Sequence, residues 1–176
     1  MTPYERVWAR MAGKPVDKVP NLNIAMALVA KCAGVSYREY AQNYKKLVEG
    51  NLYCMEHFGF DAVSAISDPM RETASFGATI TFPEDAVPHS TPALLQKDCD
   101  LSKLKIVSPY DNDRTLDRIR AVELFREKVG GEIPIIGWVE GVLAECADLR
   151  GVTELMYDLA EDEEYLPELM EIVHDR

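Results

Sequence analysis

Two short apolar runs, 62–67 (Ala-Val-Ser-Ala-Ile-Ser) and 133–139 (Ile-Pro-Ile-Ile-Gly-Trp-Val), lie on either side of a long amphipathic stretch, 111–129. The first is closed by Asp68-Pro69 and the second by Glu140-Gly141. Runs of that length bounded by turn residues read as buried strands. Between them Leu116, Ile119, Val122, Phe125 and Val129 recur at helical spacing, and Gly130-Gly131 stops the pattern. A strand, a helix and another strand at this separation imply parallel βα units, because antiparallel neighbours need only a tight turn.

The flanking sequence extends the alternation. Thr2, Pro3 and Glu5 form a capping box with proline at the first helical position. Tyr4, Val7, Trp8 and Met11 make that helix's apolar stripe, which Gly13 ends. Residues 19–23 read as a short strand in spite of Pro20, and 24–33 as a short buried helix ended by Gly34. A second capping box, Ser36 with Glu39, opens what reads as one long helix up to Gly59, with Tyr37, Tyr40, Tyr44, Leu47, Val48 and Met55 on one side. The tyrosines read as packing, a stripe that can also line a pocket. Residues 78–82 follow the preceding strand too closely for a parallel crossover and read as an excursion or small hairpin, and 84–109 as a loop leading into a short helix. Residues 152–160 are helical, and a last helix begins near Tyr165 with Leu169, Met170, Ile172 and Val173 on its apolar side, still unfinished at Arg176.

The predicted fold class is therefore α/β with parallel strands, about three main ones. A complete (β/α)8 barrel usually takes about 250 residues. The 176 residues here are expected to form a single partial domain, 1–176, without an internal linker.

Composition removes several function classes. Lys and Arg number 19 against 30 Asp and Glu, a net charge of −11, which disfavours general binding to nucleic acid. The excess is local: residues 140–171 hold eleven acidic residues and one basic one, Arg150, and read as a solvated helical face. No apolar run approaches the roughly 20 residues of a membrane span. Residues 2–12 carry Glu5, Arg6 and Arg10 and do not read as a signal peptide. Cys32, Cys54, Cys99 and Cys146 are widely spaced without a CxxC pair, the pattern of free thiols in a reducing cytoplasm.

In parallel α/β folds ligands gather at the carboxyl ends of strands. Three such ends are named by the sequence: Asn21 and Asn23 followed by Met26; Ser67 and Asp68, with Arg71 and Glu72 beyond; and Trp138 and Glu140. Asp68 follows its strand directly. It suits a cation, a substrate hydrogen bond or general-base work, and it suits equally an N-cap for the next segment. Glu140, ending the most apolar strand, is expected to be desolvated and functional, or else a solvated loop carboxylate. His57, His89 and His174 are far apart, and no HxH, HxxxH or His/Cys pair suggests a metal site. GxGxxG, Walker and GxSxG sequences are absent.

Several of these segments resemble the uroporphyrinogen decarboxylase superfamily. Gly13-Lys14-Pro15-Val16-Asp17-Lys18-Val19-Pro20 resembles its "G-x-P-v-D-r-v-P" entry to the first strand. Phe60-Asp61-Ala62-Val63 through Ser67-Asp68-Pro69 resembles the second strand, Phe76-Gly77-Ala78 the excursion after it, and Ile135 to Gly141 the third strand with its glycine-containing loop. The likeness covers the whole chain but only the N-terminal half of a family member. It implies the N-terminal part of a (β/α)8 TIM barrel, incomplete in this chain. It also suggests a fragment or truncated product, or a short gene whose barrel another chain completes.

The superfamily holds decarboxylases and methylcobamide:coenzyme M and related corrinoid-dependent methyltransferases. The decarboxylases carry an arginine-rich segment after the first strand that grips the carboxylates of a tetrapyrrole. Here that segment is Asn21-Leu22-Asn23-Ile24-Ala25-Met26-Ala27-Leu28, without an arginine. The resemblance is thus closer to the methyltransferases. It implies methyl transfer between a corrinoid protein and a thiol or similar small-molecule acceptor, with zinc holding the thiolate in the full-length enzyme. The family's zinc ligands belong to later strands, so neither metal nor cofactor is expected on this chain. Asp68 matches the family site most directly and is expected to be catalytic with Glu140, while Asn23, Met26 and Ser67 are placed at the barrel mouth as substrate-binding residues. The alternatives are a decarboxylase acting on another carboxylated substrate, and a non-catalytic half-barrel that associates with itself or with a completing chain through open sheet edges.

Overall fold

Helix α1 (Pro3–Met11) starts as its capping box prescribes: Glu5 N–H donates to Thr2 Oγ1 at 3.2 Å, and Thr2 N–H donates to Glu5 Oε2 at 2.9 Å. The computed structural model describes residues 1–96, 100–161 and 164–175, so Cys99 and Arg176 lie outside the described residues. Two compact units divide the chain. The first is Met1–Ser67, Glu84–Ala86 and Asp117–Trp138; the second is Asp68–Pro83, Val87–Leu116 and Val139–Arg176.

The first unit holds α1, α2 (Met26–Cys32), α3 (Tyr37–Gln42), α4 (Tyr44–Phe58), β1 (Val63–Ser64) and β2 (Ile135–Ile136). Strands β1 and β2 are parallel, with Val63 opposite Ile135 and Ser64 opposite Ile136. Val63 N–H donates to Pro134 O at 3.0 Å and Ala65 N–H to Ile136 O at 3.1 Å. The ladder is shorter than the apolar runs that contain it, and Val139, read as strand, is 82% exposed.

Residues 19–23 are not a strand. Pro20 has no N–H to give, and the Asn21 N–H is taken by the Asp61 side chain, Oδ2 at 2.8 Å, rather than by a neighbouring backbone. One bond remains from that expected pairing, Asp61 N–H to Asn21 O at 2.8 Å. Asp61 is buried and also accepts from Arg6 Nη1 at 2.5 Å, while Arg6 Nε and Nη2 reach Asp17 at 2.6 and 2.9 Å. Asp17 and Asp61, two residues that carry the family resemblance, are therefore tied to one arginine. The Arg6 hydrogen bond holds the Asp17 carboxyl below the usual carboxylate range.

The expected single helix from Ser36 to Gly59 is two helices. Asn43 turns extended (φ −136°, ψ 96°), and its side chain accepts from Lys45 N–H at 3.1 Å, so one residue ends α3 and caps α4. Gly59 then ends α4 in the left-handed conformation, φ 65°. Helix α6 (Asp113–Val129) enters this unit from Asp117 onward. Its most buried positions are Arg118, Ala121 and Phe125; the predicted Ile119, Val122 and Val129 are half-buried.

The second unit contains α5 (Met70–Ser75), α7 (Val142–Arg150), α8 (Val152–Glu161) and α9 (Tyr165–His174), with a short 3-10 turn at Leu101–Lys103. Phe76, Leu95, Leu104, Cys146, Leu149, Leu155, Leu166 and Leu169 form its core. Helices α5 and α7 escape the sequence reading because neither has a side-chain cap on its N-terminal residue. The 78–82 excursion is a small hairpin: Thr81 and His89 exchange backbone bonds of 2.9 and 3.1 Å. The acidic stretch is not wholly a solvated face. Asp158 is buried and takes Arg150 Nε at 2.7 Å and Nη2 at 3.0 Å, and Glu145 is buried too. No helix among the described residues is long and apolar enough to cross a membrane.

Candidate functional site at the carboxyl ends of the strands

A two-residue ladder leaves the carbonyls beyond it without strand partners, and buried carbonyls need donors. In the first unit side chains supply them. Tyr40 Oη donates to Ile66 O at 2.7 Å, Tyr37 Oη to Ser67 O at 2.6 Å, and Arg118 Nη1 to Trp138 O at 2.8 Å. The two tyrosine rings meet edge-on, centroids 5.6 Å apart. The tyrosine stripe therefore holds the end of β1 as well as filling the core. It also brings together two predicted site residues: Tyr37 Oη lies 3.5 Å from Met26 Sδ while bonded to the Ser67 carbonyl. Ser67 is fully buried and Met26 half-buried. Asn23 is exposed, its side-chain amide donating to Asn21 Oδ1.

In the second unit Asp68 is buried, and its carboxylate is held by both backbone and side-chain donors. Oδ1 accepts from Met70 N–H at 3.0 Å, steering the chain into α5. Arg114 Nη2 also reaches Oδ1 at 2.8 Å and Oδ2 at 2.7 Å. The guanidinium of Arg114 stands 5.0 Å from the Phe82 ring centroid, and its backbone carbonyl accepts from Arg71 Nη1 at 2.6 Å. Arg71 is fully buried. Asp68 thus belongs to a fixed charged assembly that includes Arg114, which the sequence reading did not single out. Arg114 sits in the first turn of a helix 46 residues away from Asp68 along the chain.

The desolvated carboxyl of the segment that follows the second apolar run is Glu145, whereas Glu140 is half-buried. Glu145 is 1% exposed on α7, and its Oε1 accepts from Thr73 Oγ1 at 2.9 Å. Burial pushes its carboxyl up to about 8, against the Thr73 hydrogen bond, and the charges of Glu72, Asp148 and Glu140 push the same way as burial. Burial, then Glu140 and Glu72, push Asp148 up to about 6. Glu140 is half-buried and contributes negative charge to this group. The clue available in the sequence was a lone glutamate inside Val142-Leu143-Ala144-Glu145-Cys146, where charge is costly to bury.

Among the described residues no three His, Cys, Asp or Glu side chains are placed to hold one metal ion. The described residues do not offer a zinc ligand set, and no chemical step is assigned to zinc on them.

Parallel strands, each followed along the chain by a helix and with charged side chains just past its carboxyl end, make this part of a (β/α)8 barrel. A solved methyltransferase from Methanosarcina mazei has the same fold: TM-score 0.85 at 24% identity, over 99% of this chain and 53% of that one. The chain belongs to the uroporphyrinogen decarboxylase (URO-D) family, whose sequence profile matches residues 2–176. Curated relatives include the methylcobamide:CoM methyltransferase MtaA of Methanosarcina barkeri, 26% identical over 163 residues, covering 86% of this chain and 45% of the relative. MtbA of Methanosarcina mazei, a protein of the same description, is 26% identical over 185 residues, covering 99% and 52%. The chain spans about half the length of the curated relatives it matches.

Proposed function

We propose that this chain supplies the N-terminal βα units of a methyltransferase barrel that moves a methyl group between a corrinoid carried by a partner protein and a thiol or similar small acceptor. One observation supports this branch over decarboxylation. The segment from Asn21 to Leu28 holds no arginine, and Leu22, Ile24 and Leu28 on it are exposed apolar side chains. Such a surface is unsuited to a many-charged carboxylate substrate. The curated relatives, both methylcobamide:CoM methyltransferases, support the same branch.

In this reading Asp68 shapes the site. Both its oxygens already accept hydrogen bonds, so it serves as a positioned charge that orients substrate rather than as a base. Glu140 assists from the segment that leads into α7, and Asn23, Met26 and Ser67 are the substrate-binding residues of this reading. Zinc and the corrinoid belong to the complete enzyme, which works in the cytoplasm. Val19, Val139 and Val152, 77%, 82% and 68% exposed, support association with a second chain or copy that covers apolar surface.

The test begins with the intact mass of the polypeptide in the cells that make it. That form is then assayed for methyl transfer from methylcobalamin to a small thiol, with and without Asp68→Ala. The variant is expected to lose at least about tenfold in rate, 1.4 kcal/mol of barrel-mouth interaction, at a temperature where circular dichroism shows it still folded in spite of a lowered melting temperature. Unchanged turnover rejects the role of Asp68, and absence of transfer in the intact form rejects the reaction.

A further inference from the structure

We propose that α1 is a self-association face, through which two copies of this chain pair antiparallel about a two-fold axis. The face lies wholly in the first unit, and its use does not depend on the methyltransferase reading. Of the apolar stripe on α1 the core receives only Val7. Beside Val7 the helix buries a charge, Arg6, and turns Tyr4, Trp8 and Met11 outward at 42%, 51% and 71% exposure. These three stand at i, i+4 and i+7, so they form one ridge, and tyrosine, tryptophan and methionine are residue types that interfaces enrich. The helix cannot roll to bury them. Arg6 donates to Asp61 at 2.5 Å and to Asp17 at 2.6 and 2.9 Å, and a rotation that sank Trp8 would pull the guanidinium off a buried carboxylate. Tyr4 and Trp8 brace each other edge-on, ring centroids 5.9 Å apart, so these anchors are set before a partner arrives.

The occupant these residues fit is a second copy. An open groove of about 530 Å³ runs beside the two rings, lined also by Ala9, Ala12, Glu5 and Lys14. The alanines leave room that an indole fills. A two-fold axis makes the exchange reciprocal: Trp8 of each copy enters the groove of the other. The charges set the direction. Glu5 stands in the first turn of α1, Arg10 in the last, and Lys14 just beyond it, so antiparallel copies put each Glu5 beside the basic end of the other helix. The two helix dipoles are then opposed as well. A parallel pair would set like charges together, and a partner of a single charge sign would be repelled at one end of the groove. Nine residues make α1 only about 14 Å long. The contact is therefore small for a specific interface, and the pairing is reversible, with a dissociation constant of the order of micromolar.

The experiment is sedimentation velocity on the whole chain from about 1 to about 300 μM, a range that brackets such a constant. Tryptophan emission is read over the same series in Trp138→Phe, which leaves Trp8 as the only one of the two tryptophans. The expected result is a mass that rises from one copy to two while the Trp8 emission shifts to the blue. Trp8→Ala, at an exposed position, is expected to weaken the pairing at least about tenfold with an unchanged circular dichroism spectrum. Lys14→Glu is also expected to weaken it. Mixing Lys14→Glu chains with Glu5→Lys chains is expected to restore pairing between unlike copies, because each Glu5–Lys14 contact then regains opposite signs. A single-copy mass at every concentration overturns the proposal, as does pairing that Trp8→Ala leaves untouched. Blue-shifted Trp8 emission from a single-copy particle overturns it too, since another part of the polypeptide would then cover the face.

Discussion

Nη2 of Arg114 contacts both carboxylate oxygens of Asp68, at 2.8 and 2.7 Å, and the Asp68 side chain is entirely buried. A charge held in that way depends on its partner more than the partner depends on it, because the arginine keeps some exposure, 14% against 0%. Arg114→Met is therefore expected to destabilise the chain by about 3 kcal/mol or more, since it leaves a buried carboxylate short of its counter-charge. Asp68→Asn is expected to cost less, because the amide still accepts at Met70 N–H. Urea unfolding of the two variants checks the order, and equal losses would mean the pair is not the main support of Asp68.

Glu145 predicts a pH dependence of definite sign. Its carboxyl is raised by burial from 4.5 to about 8, so between those values the folded chain holds a proton that the unfolded chain releases. The stability linked to that proton is complete below the unfolded value and falls as pH rises through about 8. Glu145→Gln, which copies the protonated form and can still accept from Thr73, is expected to flatten the loss. Melting temperatures of the two proteins should be close at pH 5, separate in favour of the variant as pH rises to about 8, and stay apart above it. A wild-type curve that the substitution leaves unchanged across this range would show that Glu145 is not the titrating group.

Arg6 joins Asp61 and Asp17, and the two contacts are expected to behave differently. The Arg6 and Asp61 side chains are 7% and 3% exposed, so Asp61→Ala should be clearly destabilising, by removing the more buried of the two carboxylates that pair the guanidinium. The Asp17 side chain is 42% exposed, and its loss should cost far less. Arg6 depresses the Asp17 carboxyl, so its contribution is present above the ordinary carboxylate range and is lost as pH falls below it. Chemical denaturation at neutral pH, then acid titration of the Asp17→Asn variant, separates the two.

Tyr37→Phe and Tyr40→Phe each remove one hydroxyl and leave a buried carbonyl at the end of β1 without that donor. Each is expected to cost about 1–3 kcal/mol, with little change in packing volume. Hydrogen exchange should show the effect concentrated at residues 63–67. Stability losses below a few tenths of a kcal/mol would mean that water replaces the hydroxyls at those carbonyls.

Much of the architecture was legible from local signals. The Thr2–Glu5 capping box, the glycine stop at Gly59 and the parallel reading of the runs at 62–67 and 133–139 rest on short-range chemistry, and each is present in the fold. Asp68 was legible as the carboxylate that closes the first apolar run for the same reason, whereas its burial was not. Glu140 was singled out because it ends an apolar run, yet the burial falls on Glu145, where α7 lies against α5 and Thr73. The extended reading of 19–23 failed because a side chain, Asp61, took the N–H that a strand would have used. The long helix after Ser36 failed at Asn43, whose side chain competes with the backbone for the same donor.

By itself the sequence determined the α/β class, the helix starts and stops, and the family resemblance, since those depend on periodicity and on residues within one turn of each other. Only tertiary structure decided which groups are paired across distance: Arg114 with Asp68, Arg6 with Asp61 and Thr73 with Glu145. Desolvation and long-range contact are properties of the packed chain. The same carboxylate or thiol is ordinary in solution and acquires its character only when neighbours from distant segments remove water and supply charge.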